Sequence, residues 1–244
     1  MSLNHSHFPD WLANNWVFRK LFLFRKIFLS KTRSHHYGQQ AEDVSIAKFV
    51  PKQKEGFFVD VGCFHPVKYN NTYSLYKRGW RGVNVDIDAI KIEGFNWVRK
   101  KDHNVCLAVS QEEGEITYWS NGIYTPTTTL DEDFAENRRK RGKKYQYIKK
   151  TTKSKPLTLI LDESPFKDQK IDLLSIDVEG FDHDVLLSLD FEKYSPRLVV
   201  IESQMNRFSD IQKEDTYLFL TGKGYELVNW MGMSLLFLRE HSSS

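Results

Sequence analysis

The stretch Leu173-Leu174-Ser175-Ile176-Asp177-Val178-Glu179-Gly180-Phe181-Asp182 decides the fold. An apolar run stops at two carboxylates and a glycine. Helical spacing follows, with Val185, Leu186 and Leu189 on one apolar face. A buried strand of this kind delivers acids to the carboxyl edge of an open α/β sheet, where the ligands of such sheets bind. The arrangement recurs at Phe57-Phe58-Val59-Asp60-Val61-Gly62, at Val83-Asn84-Val85-Asp86 and at Leu198-Val199-Val200-Ile201-Glu202. Core packing alone does not call for four strands with acidic tips.

Around these strands the chain alternates strand and helix, the pattern of a parallel sheet. Strands are expected at 57–61, 82–87, 105–109, 171–178 and 198–202. Helices are expected at 41–50, stopped by Pro51, at 72–78, ended by Gly79, and at 157–163. Asn70, Asn71 and Thr72 are good caps for the second of these. Segments 225–230 and 234–238 flank Met231-Gly232-Met233 and read as a closing hairpin, while 115–119 alternates like an edge strand. Thr129-Leu130-Asp131-Glu132 is a capping-box pattern, predicting a helix to about Arg141 that ends at Gly142. Segment 145–153 reads as a weak strand. We take 120–156 as a basic insertion, because it holds too few apolar residues for a core of its own.

The length of 244 residues fits one α/β domain with an appendage. The domain spans 38–244, and residues 1–37 form an N-terminal aromatic and basic helical extension. In the helix expected over 10–31, Val17, Leu21, Phe24 and Phe28 make one apolar stripe and Phe18, Phe22 and Leu29 a second. Arg19, Lys20, Arg25 and Lys26 lie between the two. Two readings stand: packing on the domain with the basic side chains snorkelling, or docking of 10–33 to an acidic membrane surface or a partner. A net charge of +3 does not by itself imply a nucleic-acid partner. Cys63 and Cys106 lack metal-ligand spacing and read as free thiols of a reducing compartment. No apolar run reaches the roughly 18–20 residues of a membrane span, and the N-terminus lacks the pattern of a signal peptide. The expectation is a cytoplasmic protein, with peripheral contact at the inner membrane surface through 10–33.

In the unit Val59-Asp60-Val61-Gly62-Cys63-Phe64-His65-Pro66, Gly62 permits a sharp turn and close approach of a ligand. His65 and Pro66 stand where a dinucleotide fingerprint would place glycines. That weakens the case for a pyrophosphate and leaves room for a ligand without phosphate, of which S-adenosylmethionine is one. Asp86 at the second strand tip is placed to accept hydrogen bonds from ribose hydroxyls; alternatively, Asp86 or Asp88 caps the next helix. Asp60 either organises the loop or receives an ammonium group. The candidate cofactor contacts are Asp60, Gly62, Cys63, Asn71, Thr72, Asp86, Ser110 and Asp177.

Asp60-Val61-Gly62, Gly79-Trp80-Arg81-Gly82, Thr158-Leu159, Ile176-Asp177-Val178-Glu179-Gly180 and Val200-Ile201-Glu202 occur in this order. Together they resemble the FkbM family of S-adenosylmethionine-dependent methyltransferases over roughly 38–238. The resemblance implies a Rossmann-like class I methyltransferase fold, a mostly parallel seven-stranded sheet with a C-terminal antiparallel hairpin. It also implies O-methylation of a sugar, polysaccharide or other small-molecule hydroxyl. The chain departs from the family in a first loop poorer in glycine, and in Asp86 where glutamate before proline is usual. A base is useful for a weakly nucleophilic hydroxyl, and the candidate catalytic residues are His65, Asp177 and Glu179. His183 is expected to face solvent. No metal is expected, although Asp177, Glu179 and Asp182 are oxygen ligands that would suit magnesium. The run Arg138-Arg139-Lys140-Arg141-Gly142-Lys143-Lys144, with Lys149, Lys150, Lys153 and Lys155, is a solvated face or a guide for an anionic acceptor. Tyr145 and Tyr147 interleave it. Nucleic-acid methylation is the alternative enzyme reading, and the absence of an Asn/Asp-Pro-Pro-aromatic segment counts against methylation of base amines. The non-catalytic alternative is a membrane-surface adaptor on a methyltransferase fold.

Overall fold

The computed structural model describes residues 11, 15–28, 36–122, 124–125, 128–130, 132–142 and 146–239. They fall into two units, 1–35 and 36–244. In the first, the helix Trp16–Phe28 is capped by Asn15, whose Oδ1 accepts the N–H groups of Val17 and Phe18. Phe18 meets Phe22 at 6.0 Å and Phe24 meets Phe28 at 5.2 Å, the neighbour distance of side chains one turn apart. The remainder of the helix expected over 10–31 lies outside the described residues, save Trp11. No helix among the described residues is long and apolar enough to cross a membrane.

The second unit carries strands β1 (Phe57–Val61), β2 (Arg81–Asp86), β3 (His103–Cys106), β4 (Ala108–Val109), β5 (Gly114–Ser120) and β6 (Thr128–Thr129). They are followed by β7 (Ile148–Lys155), β8 (Leu173–Ile176), β9 (Leu198–Glu202), β10 (Glu226–Met231) and β11 (Ser234–Leu238). Seven of them form one sheet in the order β10-β11-β9-β8-β1-β2-β3. The strands from β9 to β3 run parallel, and β11 enters antiparallel between β9 and β10. Strands β1 and β8 are buried throughout, which is why their sequences are nearly continuous apolar runs.

Strand alternation divides the core. Phe57, Val59 and Val61 face one layer, with Leu157, Leu161 and Leu186 from the covering helices. Phe58 faces the other, with Ile46, Leu75 and Trp80. Each such apolar side chain stabilises the fold by about 1.5–3 kcal/mol when fully buried. The helix Tyr73–Arg78 ends at Gly79, whose φ of 111° supplies the left-handed cap that the sequence predicts.

Several expectations are corrected. The single strand expected at 105–109 is two, because the backbone leaves the large sheet after Cys106 and Ala108–Val109 pairs with β7 in a second sheet. A continuous apolar run does not mark where a strand changes partner. In this second sheet, ordered β4-β7-β5-β6, β5 is interior rather than an edge. Thr129 pairs with Trp119, and the helix that follows is Glu132–Lys140. Ala135 and Tyr147 of the insertion pack against Trp119 of β5 in a small apolar cluster. Thr72 makes no side-chain cap, since its hydroxyl donates to Asp60 and Asn70.

Arg99 is fully buried and ties the first loop to the sheet. Its guanidinium donates to Pro66 O (3.0 Å), Thr72 Oγ1 (2.7 Å), Asn84 Oδ1 (3.3 Å) and Asn70 Oδ1 (2.5 Å). Asp102 lies 4.0 Å away, and the rings of Phe58, Tyr73, Tyr76 and Phe95 surround the guanidinium at 5.0–5.8 Å.

Candidate active site

A cavity of about 320 Å³ opens at the carboxyl ends of the parallel strands. Ligand pockets begin near this size. Its walls come from Val61, Gly62 and Phe64 after β1, Val85, Asp86 and Ile87 at β2, and Lys91 on the following helix. Leu107–Val109, Thr128–Leu130, Asp177–Glu179, Phe181, Gln39 and Tyr69 complete them.

Gly62 is required by close approach. Its φ is 78°, and a Cβ there would sit 1.8 Å from the carbonyl oxygen of Asp177. Gly62 N donates to Val85 O and Asp177 N to Val61 O, so three strand tips converge on this point. Phe64, Tyr69 and Glu179 also have left-handed φ values of 52°, 51° and 56°, and all three line the cavity. Non-glycine residues held this way cost about 1–3 kcal/mol each and concentrate where a site fixes its geometry.

The Asp86 carboxylate accepts from Phe64 N (3.1 Å) and Asp88 N (2.9 Å), with Lys91 Nζ at 3.4 Å. The helix cap is Asp88, which accepts from Ile90 N, so Asp86 does not serve as one. Burial raises the Asp86 pKa and Lys91 opposes the rise. Lys91 is itself buried and lies over the Phe64 ring at 5.1 Å. Sequence reasoning missed it; its spacing of three residues from a helix cap was the available signal.

Asp177 and Glu202 end neighbouring strands, since Ile176 pairs with Ile201. Asp177 is exposed to the open cavity, although protein atoms crowd around it. Its pKa stands well above the carboxylate range, through desolvation first and then through Glu202, Asp182 and Glu179. Glu202 is pushed up to about 7, again mainly by desolvation. Glu179 is raised by desolvation and by Asp182. Asp182 spends its oxygens on Val178 N and Gly180 N, which holds the loop in shape. Among the described residues no group of three or more His, Cys, Asp or Glu is arranged to hold a metal ion.

Of the residues singled out from sequence, Gly62, Asp86, Asp177 and Glu179 line the cavity. Asp60, Cys63, Asn71, Thr72, Ser110 and His65 are not among its walls. Asp60 accepts from Asn70 and Thr72, the loop-organising alternative of its two readings. Cys63 is buried and its thiol pKa is pushed up by desolvation. Asn71 donates to Ser175 Oγ, and Ser110 donates to Glu112 O. His65 Nδ1 accepts from Val67 N and Lys68 N, both at 3.0 Å, which leaves its proton on Nε2. Desolvation lowers its pKa. His183, expected at the surface, is half-buried against the Phe219 ring at 5.9 Å, with Nδ1 unpartnered. The reason is that the helix Asp182–Leu187 packs on the helix Asp215–Gly222, a tertiary contact. Thr128 on the cavity wall also has a buried hydroxyl without a partner.

This concentration of raised carboxyl groups has a consequence for stability. Desolvation lifts Asp102 to about 6 and Glu202 to about 7, and it raises Asp60, Asp86 and Asp182. An unfolded carboxylate titrates near 4, so the native state holds more protons between about pH 4 and pH 7, and stability falls as pH rises through that window. The melting temperature is therefore expected to drop by several degrees from about pH 5 to about pH 8. A scan showing greater stability at pH 8 would contradict this.

A parallel sheet closed by a reversed hairpin, with acids from adjacent strand tips around one cavity, defines the Rossmann-like methyltransferase class. The chain belongs to the FkbM methyltransferase family: the FkbM methyltransferase domain matches residues 60–227. No curated protein matches it. Among solved structures it is similar to a TehB-like SAM-dependent methyltransferase from Corynebacterium glutamicum ATCC 13032 Kitasato. The identity is 14% over 93% of this chain and 100% of that one, and the TM-score of 0.41 is too low to carry an argument.

Proposed function

We propose that the protein is an S-adenosylmethionine-dependent O-methyltransferase acting on a hydroxyl of a saccharide or another small-molecule acceptor. One observation carries this reading: Asp86, Gly62 and Asp177, from the adjacent strands β2, β1 and β8, meet at one cavity. The donor set fits the cofactor. Asp86 is an acceptor for ribose hydroxyls, Ile87, Leu107 and Ala108 give apolar surface for a base, and Gly62 permits backbone approach. Asp177 and Glu179 favour a cationic ligand over a phosphate. When bound, the cofactor supplies an electrophilic methyl group on a sulfonium.

The chain's own residues orient the acceptor and manage its proton. Asp177 is the best-placed base, because it opens onto the cavity and its raised pKa brings it nearer to the proton it must take. His65 is less suited, since Nδ1 is committed to two backbone N–H groups.

Saturating S-adenosylmethionine should raise the melting temperature, since a ligand of the native state alone stabilises it by mass action. Asp86→Asn keeps the shape beside Lys91 but removes the charge. It should weaken cofactor binding by roughly tenfold or more, as hydrogen bonds to a charged group are worth about 1.5–3 kcal/mol. Absence of any shift with the parent protein would overturn the reading.

A further inference from the structure

Residues 138–155 contain ten of the chain's 35 Lys and Arg residues and no Asp or Glu. The fold places part of this charge next to the cavity. Both edge strands of the small sheet, β4 and β6, supply cavity wall through Ala108, Val109, Thr128 and Thr129. Strand β7 lies between β4 and β5. Its register sets Lys149 opposite Trp119, which in turn pairs with Thr129. Two strand spacings, roughly 10 Å, thus separate Lys149 from the cavity wall.

β4 pairs only with Ser154 and Lys155, so β7 is an open edge over 148–153 as far as the described residues go. Lys149, Lys150 and Lys153 are exposed along that edge, and among the described residues none of them makes an ion pair. Lys155 differs, because Glu113 and Glu163 neutralise it at 3.6 and 2.6 Å. Adjacent residues of a strand point to opposite faces, and only a chain running along the edge meets both Lys149 and Lys150.

We infer that the edge of β7 binds an anionic saccharide chain, one of whose hydroxyls reaches the cavity. This rests on the acceptor class proposed above and narrows it to an extended, negatively charged glycan. A single neutral sugar in the cavity would not reach the lysines. Single-stranded nucleic acid fits less well, because it needs exposed aromatic platforms. The aromatic residues described in this sheet, Tyr118, Trp119 and Tyr147, are only 3–7% exposed. Lysines on an edge also block edge-to-edge pairing of sheets. Charge reversal separates the roles, since glutamate guards an edge as well as lysine but repels a polyanion.

The test titrates the full chain, without cofactor, with a galacturonic-acid oligosaccharide, a maltooligosaccharide of equal length and an oligouridine. The charged saccharide should bind, and more weakly as salt rises. The double variant Lys149→Glu/Lys150→Glu should weaken that binding by about tenfold or more, as expected when a complementary field is reversed. Its melting temperature should fall by a few degrees at most, the loss of the Lys149 contact over the Trp119 ring, and its stabilisation by S-adenosylmethionine should stay at the parental value. Equal binding of the neutral saccharide, no binding of the charged one, or an unaffected double variant would each overturn the inference. Tighter binding of oligouridine would do so in favour of nucleic acid. Failure of the cofactor reading registers separately, as a missing thermal shift in the parent.

Discussion

Arg99→Met is expected to lower the stability of the domain by about 3–5 kcal/mol, the scale seen when one partner of a buried charge cluster is removed. Methionine fills much of the aliphatic volume but satisfies none of the groups that the guanidinium holds. Pro66 O, Thr72 Oγ1, Asn84 Oδ1 and Asn70 Oδ1 all lose a donor at once. Asp60 and Asp102, both already raised by desolvation, lose the cation that opposes the rise. Their carboxyl pKa values climb further, so the deficit should shrink as pH falls and both groups protonate. Denaturant unfolding at neutral and acidic pH measures both effects. Arg99→Lys should recover part of the loss by restoring the charge without the planar fork. A loss below about 1 kcal/mol, within the range of ordinary substitutions, would show that water replaces the guanidinium and that the cluster is not closed.

The second large effect is on turnover. Asp177→Asn should reduce the methylation rate by about 10²–10⁴-fold, the usual contribution of a general base. Affinity for S-adenosylmethionine should fall by roughly tenfold at most, the loss of one charge facing a cationic ligand, because the substitution keeps volume and hydrogen-bonding shape beside Gly62. A base works in its deprotonated form, so the parent rate should fall as pH drops through the apparent pKa of the Asp177–Glu202 pair. Two coupled carboxyl groups titrate as a pair, and Glu202 alone stands at about 7. Glu202→Gln should move this profile to lower pH, since one of the charges raising Asp177 is gone. A variant with near-parental turnover and an unshifted profile would remove Asp177 from the chemistry.

The main strands were legible because burial on both faces leaves a mark in the sequence. Phe57–Val61 and Leu198–Glu202 were bounded correctly by their apolar runs, and Gly79 marked a helix end through its freedom at positive φ. The closing hairpin was legible from its turn residues. Strands at 115–119 and 145–153 were legible, but their assembly into a second sheet was not, for β7 is mostly polar and exposed and carries little periodicity.

The candidate site divides in the same way. Gly62, Asp86 and Asp177 could be named from sequence because a residue at the tip of a buried parallel strand has only the carboxyl edge to occupy. Residues of the following loop have no such constraint. His65 is a candidate base by its place on the loop and its pKa, and its ring accepts from Val67 N and Lys68 N of that same loop. Thr128 and Arg99 carried no local signal, since each takes its surroundings from segments remote in the chain, whereas Lys91 sits one turn past the Asp88 cap and close in sequence to Asp86. Hydrophobic periodicity and short-range geometry place the strand tips and the acids they carry. Which of those acids come to face one cavity follows from tertiary structure, because charge coupling depends on distances through space, and β1 lies beside β8 from more than a hundred residues away.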